Sequence, residues 1–252
     1  MIEPICEFLP GVPTHLVLQR LNAAGGNEVK SGKLSSPESS AALAVNTFGW
    51  FMEQPELLPA FPPLQPMDWP ATLVEIEHCA RFPWSGGRHP WLDAWIETDE
   101  AVIGVESKRF EPYSDRKDAT FSNAFDRPVR HDQMAPYKAL KDALRLQTAR
   151  FQYLDGAQLV KHALGIATEA RRNRKKPYLL YLFAEPRERS GKPISAETRQ
   201  EHRTEIARFA DATKGAEVKF GAMSYREWLD SWPRADLKLV AHRQAVLDHF
   251  RP

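Results

Sequence analysis

The segment Ala101–Lys108 (AVIGVESK) constrains the fold of this chain more than any other. It opens on β-branched and small apolar residues, which fit a pleated, half-buried surface, and ends on a glutamate and a lysine two positions apart. Side chains alternate across a strand, so Glu106 and Lys108 share a face with Gly104, while Val105 and Ser107 point the other way. Charges at the end of an otherwise apolar strand need a reason. The preceding segment, residues 91–98 (WLDAWIET), also alternates and holds Asp93 between Leu92 and Ala94. Thr98, Asp99 and Glu100 make a short polar connection of the kind that closes a hairpin. Asp93 and Glu106 are therefore expected side by side on antiparallel strands.

The neighbouring segments extend the same sheet. Leu73–Cys79 (LVEIEHC) alternates as a further strand, with Glu75 and Glu77 on one face, and Lys176–Phe183 (KPYLLYLF) reads as a buried one. Helical periodicity covers residues 133–146, 155–172, 196–213 and 237–250, and a short strand falls at 217–223. Ser224 and Glu227 form a capping box that starts another helix. An early helix begins near Ser36, with Pro37 in its first turn, and runs to Phe48. After it, Pro55, Pro59, Pro62, Pro63, Pro66 and Pro70 forbid regular helix and imply a stiff connector laid over the surface. Strands that cluster first and then alternate with helices specify an α/β fold, a central mixed sheet flanked by helices. Residues 1–70 read as a helical and proline-rich N-terminal extension packed on the core, and residues 71–252 as the main domain.

Composition narrows the class further. The chain has 252 residues, 42% hydrophobic and 27% charged, enough for a real core and too apolar for extensive disorder. No apolar run approaches the roughly 20 residues of a membrane span. Glu3 and Glu7 near the N-terminus do not suit a secretory signal. Two cysteines, Cys6 and Cys79, without a C-x-x-C pair exclude a disulfide scaffold and a cysteine zinc site, and a cytoplasmic location is the default expectation. Serine-hydrolase elbows, Walker loops and dinucleotide fingerprints are missing from the sequence, as is an H-x-x-x-H helix. Net charge is only +1, yet residues 127–176 hold twelve Lys/Arg against four Asp/Glu. That section suits a grip on phosphates, and equally a set of solvated helix faces.

Two carboxylates beside an ammonium suit phosphodiester hydrolysis. A Mg²⁺ ion prefers oxygen ligands, lowers the pKa of a bound water and offsets charge growing on phosphate oxygens. A lysine beside it orients the attacking water or stabilises the transition state. The trio appears here as His89-Pro90-Trp91-Leu92-Asp93 followed by Glu106-Ser107-Lys108, and in this it resembles the PD-(D/E)XK nuclease superfamily, with Pro90 two residues farther from the acid than in the usual pattern. The resemblance implies a restriction-endonuclease-like fold and a DNA endonuclease. It also implies Asp93, Glu106 and Lys108 as catalytic residues, and Asp93, Glu106 and the Ser107 carbonyl as ligands of Mg²⁺, with Mn²⁺ as substitute. Catalysis lost on a binding module, or action on RNA or branched DNA, fits the same trio. Whether two copies pair into a homodimer, as double-strand cutters on this fold commonly do, stays open.

Several residues stand ready to support the site. Glu111 is a further acid read equally as surface charge, while Glu77 and Glu53 are candidates whose plainer reading is simple surface exposure. Some relatives carry a Gln-x-x-x-Tyr helix beside the metal; here Gln158 and His162 lie one helical turn apart. Lys161 and the run Arg171, Arg172, Arg174, Lys175 and Lys176 are candidate phosphate contacts, although a helix C-terminus favours such cations on its own account. Trp84, in a loop with Gly86 and Gly87, suits stacking on a base or covering a core edge.

Overall fold

The computed structural model describes residues 8–24, 32–36, 38–82, 89–114, 119–127 and 132–252. Its elements are α1 (Thr14–Ala24), α2 (Ser40–Gly49), β1 (Leu73–Cys79), β2 (Trp91–Glu97), β3 (Ala101–Lys108), α3 (Ala135–Arg145), α4 (Gly156–Asn173) and β4 (Lys176–Phe183). They continue with β5 (Glu188–Arg189), β6 (Lys192–Pro193), α5 (Ala196–Ala212), β7 (Lys219–Ser224), α6 (Tyr225–Ser231) and α7 (Leu237–Phe250). The main sheet runs β1-β2-β3-β4-β7, so the acid-bearing strand is central. β1, β2 and β3 are antiparallel neighbours, while β3, β4 and β7 run parallel. Lys108, Phe183 and Ser224 thus stand in one row at the C-terminal ends of the parallel strands, where open α/β sheets place their ligands.

Each face of the sheet is sealed by its own apolar cluster. On one side Val74, Ile76, Ala94, Ile103, Val105 and Leu180 pack with residues of α1, α2, α6 and α7. On the other, Leu92, Trp95, Val102, Leu179 and Tyr181 pack with α3, α4 and α5. The proline-rich connector differs from the expected surface strap. It forms short turns at Pro55–Leu57 and Pro62–Leu64 and inserts Leu58, Phe61 and Leu64 into the first cluster. Leu64 also packs at Gly221, where a side chain would collide with it, so the connector covers the edge strand β7. Residues of 1–70 and of the sheet share one core.

Local signals explain the helix starts. Ser39 caps α2 by accepting from the Ala42 amide, Asp155 caps α4 by accepting from Gln158, and Ser224 and Glu227 form the expected reciprocal box. The early helix starts later than expected because Ser39, rather than Ser36, supplies the cap; Pro37 lies outside the described residues. α1 went unread because only Val17 and Leu21 are buried in its eleven residues, too few to mark a face.

A glycine on the face of the acids suggests open space beside Gly104. Instead α4 and β2 fill it: a Cβ there would lie 2.5 Å from Ile166 Cδ1 and 2.7 Å from Leu92 Cδ1. Gly104→Ala should therefore cost about 1–3 kcal/mol, as overpacked cores do. A thermal melt that leaves this variant at the wild-type temperature would contradict the close approach of α4.

Candidate active site

A matched change of face in β1 and β2 sets the position of Asp93. Val74 and Ile76 lie in one apolar cluster, but His78 stacks on Trp95 at 4.3 Å between ring centroids and Ala80 joins the opposite cluster. On β2, Ala94 and Ile96 face the first cluster, whereas Leu92 lies with Trp95 in the second. Strict alternation would put Leu92 and Ala94 on one face, so both strands slip by one residue between Ile76–Ala94 and His78–Leu92, with register retained. Glu77 and Asp93 are the residues at the slip. Glu77 takes φ +48°, a left-handed conformation that costs a non-glycine residue roughly 1–2 kcal/mol. Strain of this kind persists where the surroundings impose it, commonly at functional sites.

Asp93 Oδ2 accepts the Ser107 amide at 2.7 Å, which ties β2 to the end of β3. Glu106, 2% exposed, points toward α4. Lys108 Nζ lies 2.5 Å from its Oε1, and His162 Nδ1 lies 3.1 Å from its Oε2. Ser107 faces the other way and meets the Tyr225 hydroxyl at 2.6 Å, so the alternation expected in β3 holds.

The electrostatics of the two acids diverge. Burial, then repulsion by Glu106, pushes the Asp93 carboxyl well above the usual carboxylate range, and Glu77 adds to the push. Burial also opposes ionisation of Glu106, but the Lys108 ammonium and His162 outweigh it and hold Glu106 down at about 2. Lys108 in turn is desolvated, yet the carboxylates of Glu106 and Asp93 raise it above its ordinary value. In the protein alone, then, one ionised and one reluctant carboxyl share the Lys108 ammonium.

These residues fit a hard divalent cation. Asp93 is destabilised as an anion by its neighbour, which added positive charge would relieve. Glu106 Oε1 is buried and takes no aligned hydrogen bond. Among the described residues no group of three or more His, Cys, Asp or Glu side chains converges, so the donor set is two carboxylates with backbone and water oxygens, the kind Mg²⁺ accepts.

The supporting residues divide. Glu77 lies across from Asp93, between the pairs Ile76–Ala94 and His78–Leu92, near enough for its charge to act on Asp93. Glu111 holds the turn after β3, accepting from Ser40 Oγ and, at 2.9 Å, from the Arg109 amide. Although burial opposes it, these bonds keep its carboxyl below the ordinary value. With Lys108 it lines a cleft whose other walls include Phe151, Tyr153, Asp155 and Tyr181. Gln158 sits in the first turn of α4 and is half-buried; His162, one turn on, makes the contact with Glu106. Glu53 is exposed after α2 and pairs with none of these groups.

The basic run is not brought to the trio. Lys176 pairs in register with Ala101 and Phe183 with Lys108, seven residues away along the strand, or roughly 23 Å. Its cations are also largely engaged: Arg171 with Glu217, Arg172 with Glu169, Lys175 with Glu97 and Lys176 with Glu100. Arg174 caps α4 in a left-handed conformation. Lys161 is half-buried over the Phe121 ring at 5.3 Å. Trp84, Gly86 and Gly87 lie outside the described residues.

Sequence reasoning missed Tyr181 and Glu205. Tyr181 neighbours Glu106 in register and bonds His202 Nε2 at 3.0 Å. Glu205 accepts the amides of Gln152, Tyr153 and Leu154 at 2.7, 2.7 and 2.9 Å. The signal for Glu205 was an acid within the buried spacing His202, Glu205, Ile206, Phe209 of α5.

A five-stranded mixed sheet flanked by helices, with its acids and lysine at the strand ends, defines a restriction-endonuclease-like fold. The chain matches the family model described as restriction endonuclease associating with ARP over residues 14–248, and it belongs to that family. No curated protein and no solved structure matches it. Among the described residues no helix is long and apolar enough to cross a membrane.

Proposed function

We propose that the protein is a metal-dependent endonuclease hydrolysing DNA phosphodiesters, with Asp93, Glu106 and Lys108 as its catalytic residues. The observation that carries this reading is the antiparallel juxtaposition of Asp93 and Glu106, in which the Glu106 charge disfavours ionisation of Asp93 while Lys108 stands against Glu106. The restriction-endonuclease family supports a nuclease and DNA as its substrate; the family's description also has its members associating with ARP.

Asp93, Glu106 and the Ser107 carbonyl would hold the ion, Mg²⁺ or Mn²⁺. Bound there, it would supply charge neutralisation at the phosphate and a water of lowered pKa. Lys108, held protonated by its carboxylate neighbours, orients the attacking water and stabilises the charge that develops on the phosphate oxygens. His162 fixes Glu106 from the helix side and acts as a positioning residue. Glu77, half-buried near Asp93, adds negative charge there without joining the two ligand carboxylates.

Plasmid cleavage with Mg²⁺ or Mn²⁺, with a chelator control, tests the reading. Lys108→Ala should slow cleavage by about 10²-fold or more, the scale for losing one transition-state stabiliser. Equal rates for wild type and Lys108→Ala across metals and substrates would refute it.

A further inference from the structure

The turn Lys108–Glu111 is a ridge between two concavities. Lys108 and Glu111 face the catalytic cleft, while Arg109 and Phe110 line a groove of about 940 Å³ on the other side. Arg187, which follows β4, Arg199 at the start of α5, Arg226 at the start of α6 and Arg251 at the end of α7 also line it. Arg187 and Arg226 follow the C-terminal ends of β4 and β7, whose last residues stand in the row that carries Lys108.

The charges of this groove are available to a ligand. Arg187, Arg226 and Arg251 are exposed, and none of the three makes an ion pair among the described residues. Of the acids at the groove, Glu185 accepts from Arg203 Nε and Nη2 at 2.7 and 2.6 Å. Glu38 lies 3.8 Å from Arg189, and Glu188 is exposed on the β5–β6 hairpin. Arg109 forms the inner wall. Its guanidinium lies 4.9 Å from the Phe110 ring centroid and donates to the Phe250 carbonyl, while Nε and Nη1 have no hydrogen-bond partner. Unpaired arginines around a concave floor match phosphate oxygens, which they can hold through paired N–H bonds. The volume gives room for a run of backbone rather than one ion.

We infer that this arginine groove, and not the basic run ahead of β4, binds the phosphodiester backbone of DNA beside the catalytic cleft. The inference rests on the nuclease reading and names the surface that seats its substrate. Each phosphate neutralised releases counterions, so binding through the groove has a measurable salt slope, close to −0.9 per contact on duplex DNA.

Fluorescence anisotropy of a labelled duplex, titrated with salt in the presence of a chelator, tests this without requiring turnover. The R187A/R226A variant should show a slope shallower by about 2 and an affinity at least tenfold weaker, with wild-type circular dichroism. R172A/R174A, exposed on the far end of the sheet, should bind within twofold of wild type. A wild-type slope in R187A/R226A, an equal loss in R172A/R174A, or no binding by the wild type would overturn the inference. Cleavage by wild type and Lys108→Ala, run in parallel, separates the two ideas. Lysine-dependent cleavage with an indifferent groove sinks the groove alone, and an inactive wild type that binds through the groove sinks the catalytic reading alone.

Discussion

Asp93→Asn is expected to reduce cleavage by on the order of 10³-fold and, in the metal-free protein, to raise the melting temperature. The two effects have one cause. Burial and the Glu106 charge lift the Asp93 pKa above its unfolded value. A group shifted in that direction contributes stability in acid, and the contribution is lost as pH rises through the folded pKa. At neutral pH the metal-free site therefore carries a penalty that a neutral amide avoids. Asparagine keeps an oxygen for the Ser107 amide, which Asp93 holds at 2.7 Å, and removes the repulsion. The gain over wild type should be small at low pH and widen toward neutrality, reaching a few degrees for a domain of this size, where ~1 kcal/mol moves the midpoint by about 2–4 °C. Added Mg²⁺ should close the gap by binding the native wild type in preference to its unfolded chain. Melting curves in chelator over a pH series decide the matter. A variant that melts below wild type at neutral pH would show that the acid pair is relaxed as it stands.

That penalty shows which parts of the site a pattern can reveal. Alternation located Glu106, Ser107 and Lys108 correctly because β3 keeps its alternation to the end, with Ser107 turned to Tyr225 and its neighbours turned to α4. The same rule misassigned the faces of β2. Leu92 and Ala94 are two residues apart yet face opposite clusters, and nothing in WLDAWIE announces a slip. The slip is imposed by pairing with β1, where Glu77 takes the matching strain, so it is a property of two strands together. Charge counting is blind to pairing for a similar reason. Residues 127–176 hold many cations, but a count cannot see that Arg171, Arg172, Lys175 and Lys176 already have carboxylate partners. The arginines left unpaired near Lys108 are scattered from 109 to 251 and meet only in the folded chain. Two-residue strands such as β5 and β6 are too short for periodicity, although the turn residues Ser190 and Gly191, both at positive φ, mark the hairpin between them.

Glu205→Ala should cost about 3 kcal/mol, the scale for removing a charged acceptor from several buried or part-buried amides. Its carboxylate receives three consecutive backbone N–H groups, at Gln152, Tyr153 and Leu154. The segment so held forms one wall of the cleft beside Lys108, and the next residue, Asp155, caps α4. α4 then carries His162 to Glu106. Loss of the anchor should therefore reach the trio without touching it. Hydrogen exchange should rise at the amides of 152–154, and cleavage should fall by roughly tenfold through lost positioning. Glu205→Gln distinguishes anchoring from mere bulk. An amide has one accepting oxygen, which can keep the Tyr153 and Leu154 bonds while its NH₂ group opposes the Gln152 amide. Glutamine should thus recover part of the stability and protect 153 and 154 more than 152. Equal protection of all three amides in both variants would mean that the loop is held by the packing of Phe151 and Leu154 rather than by Glu205.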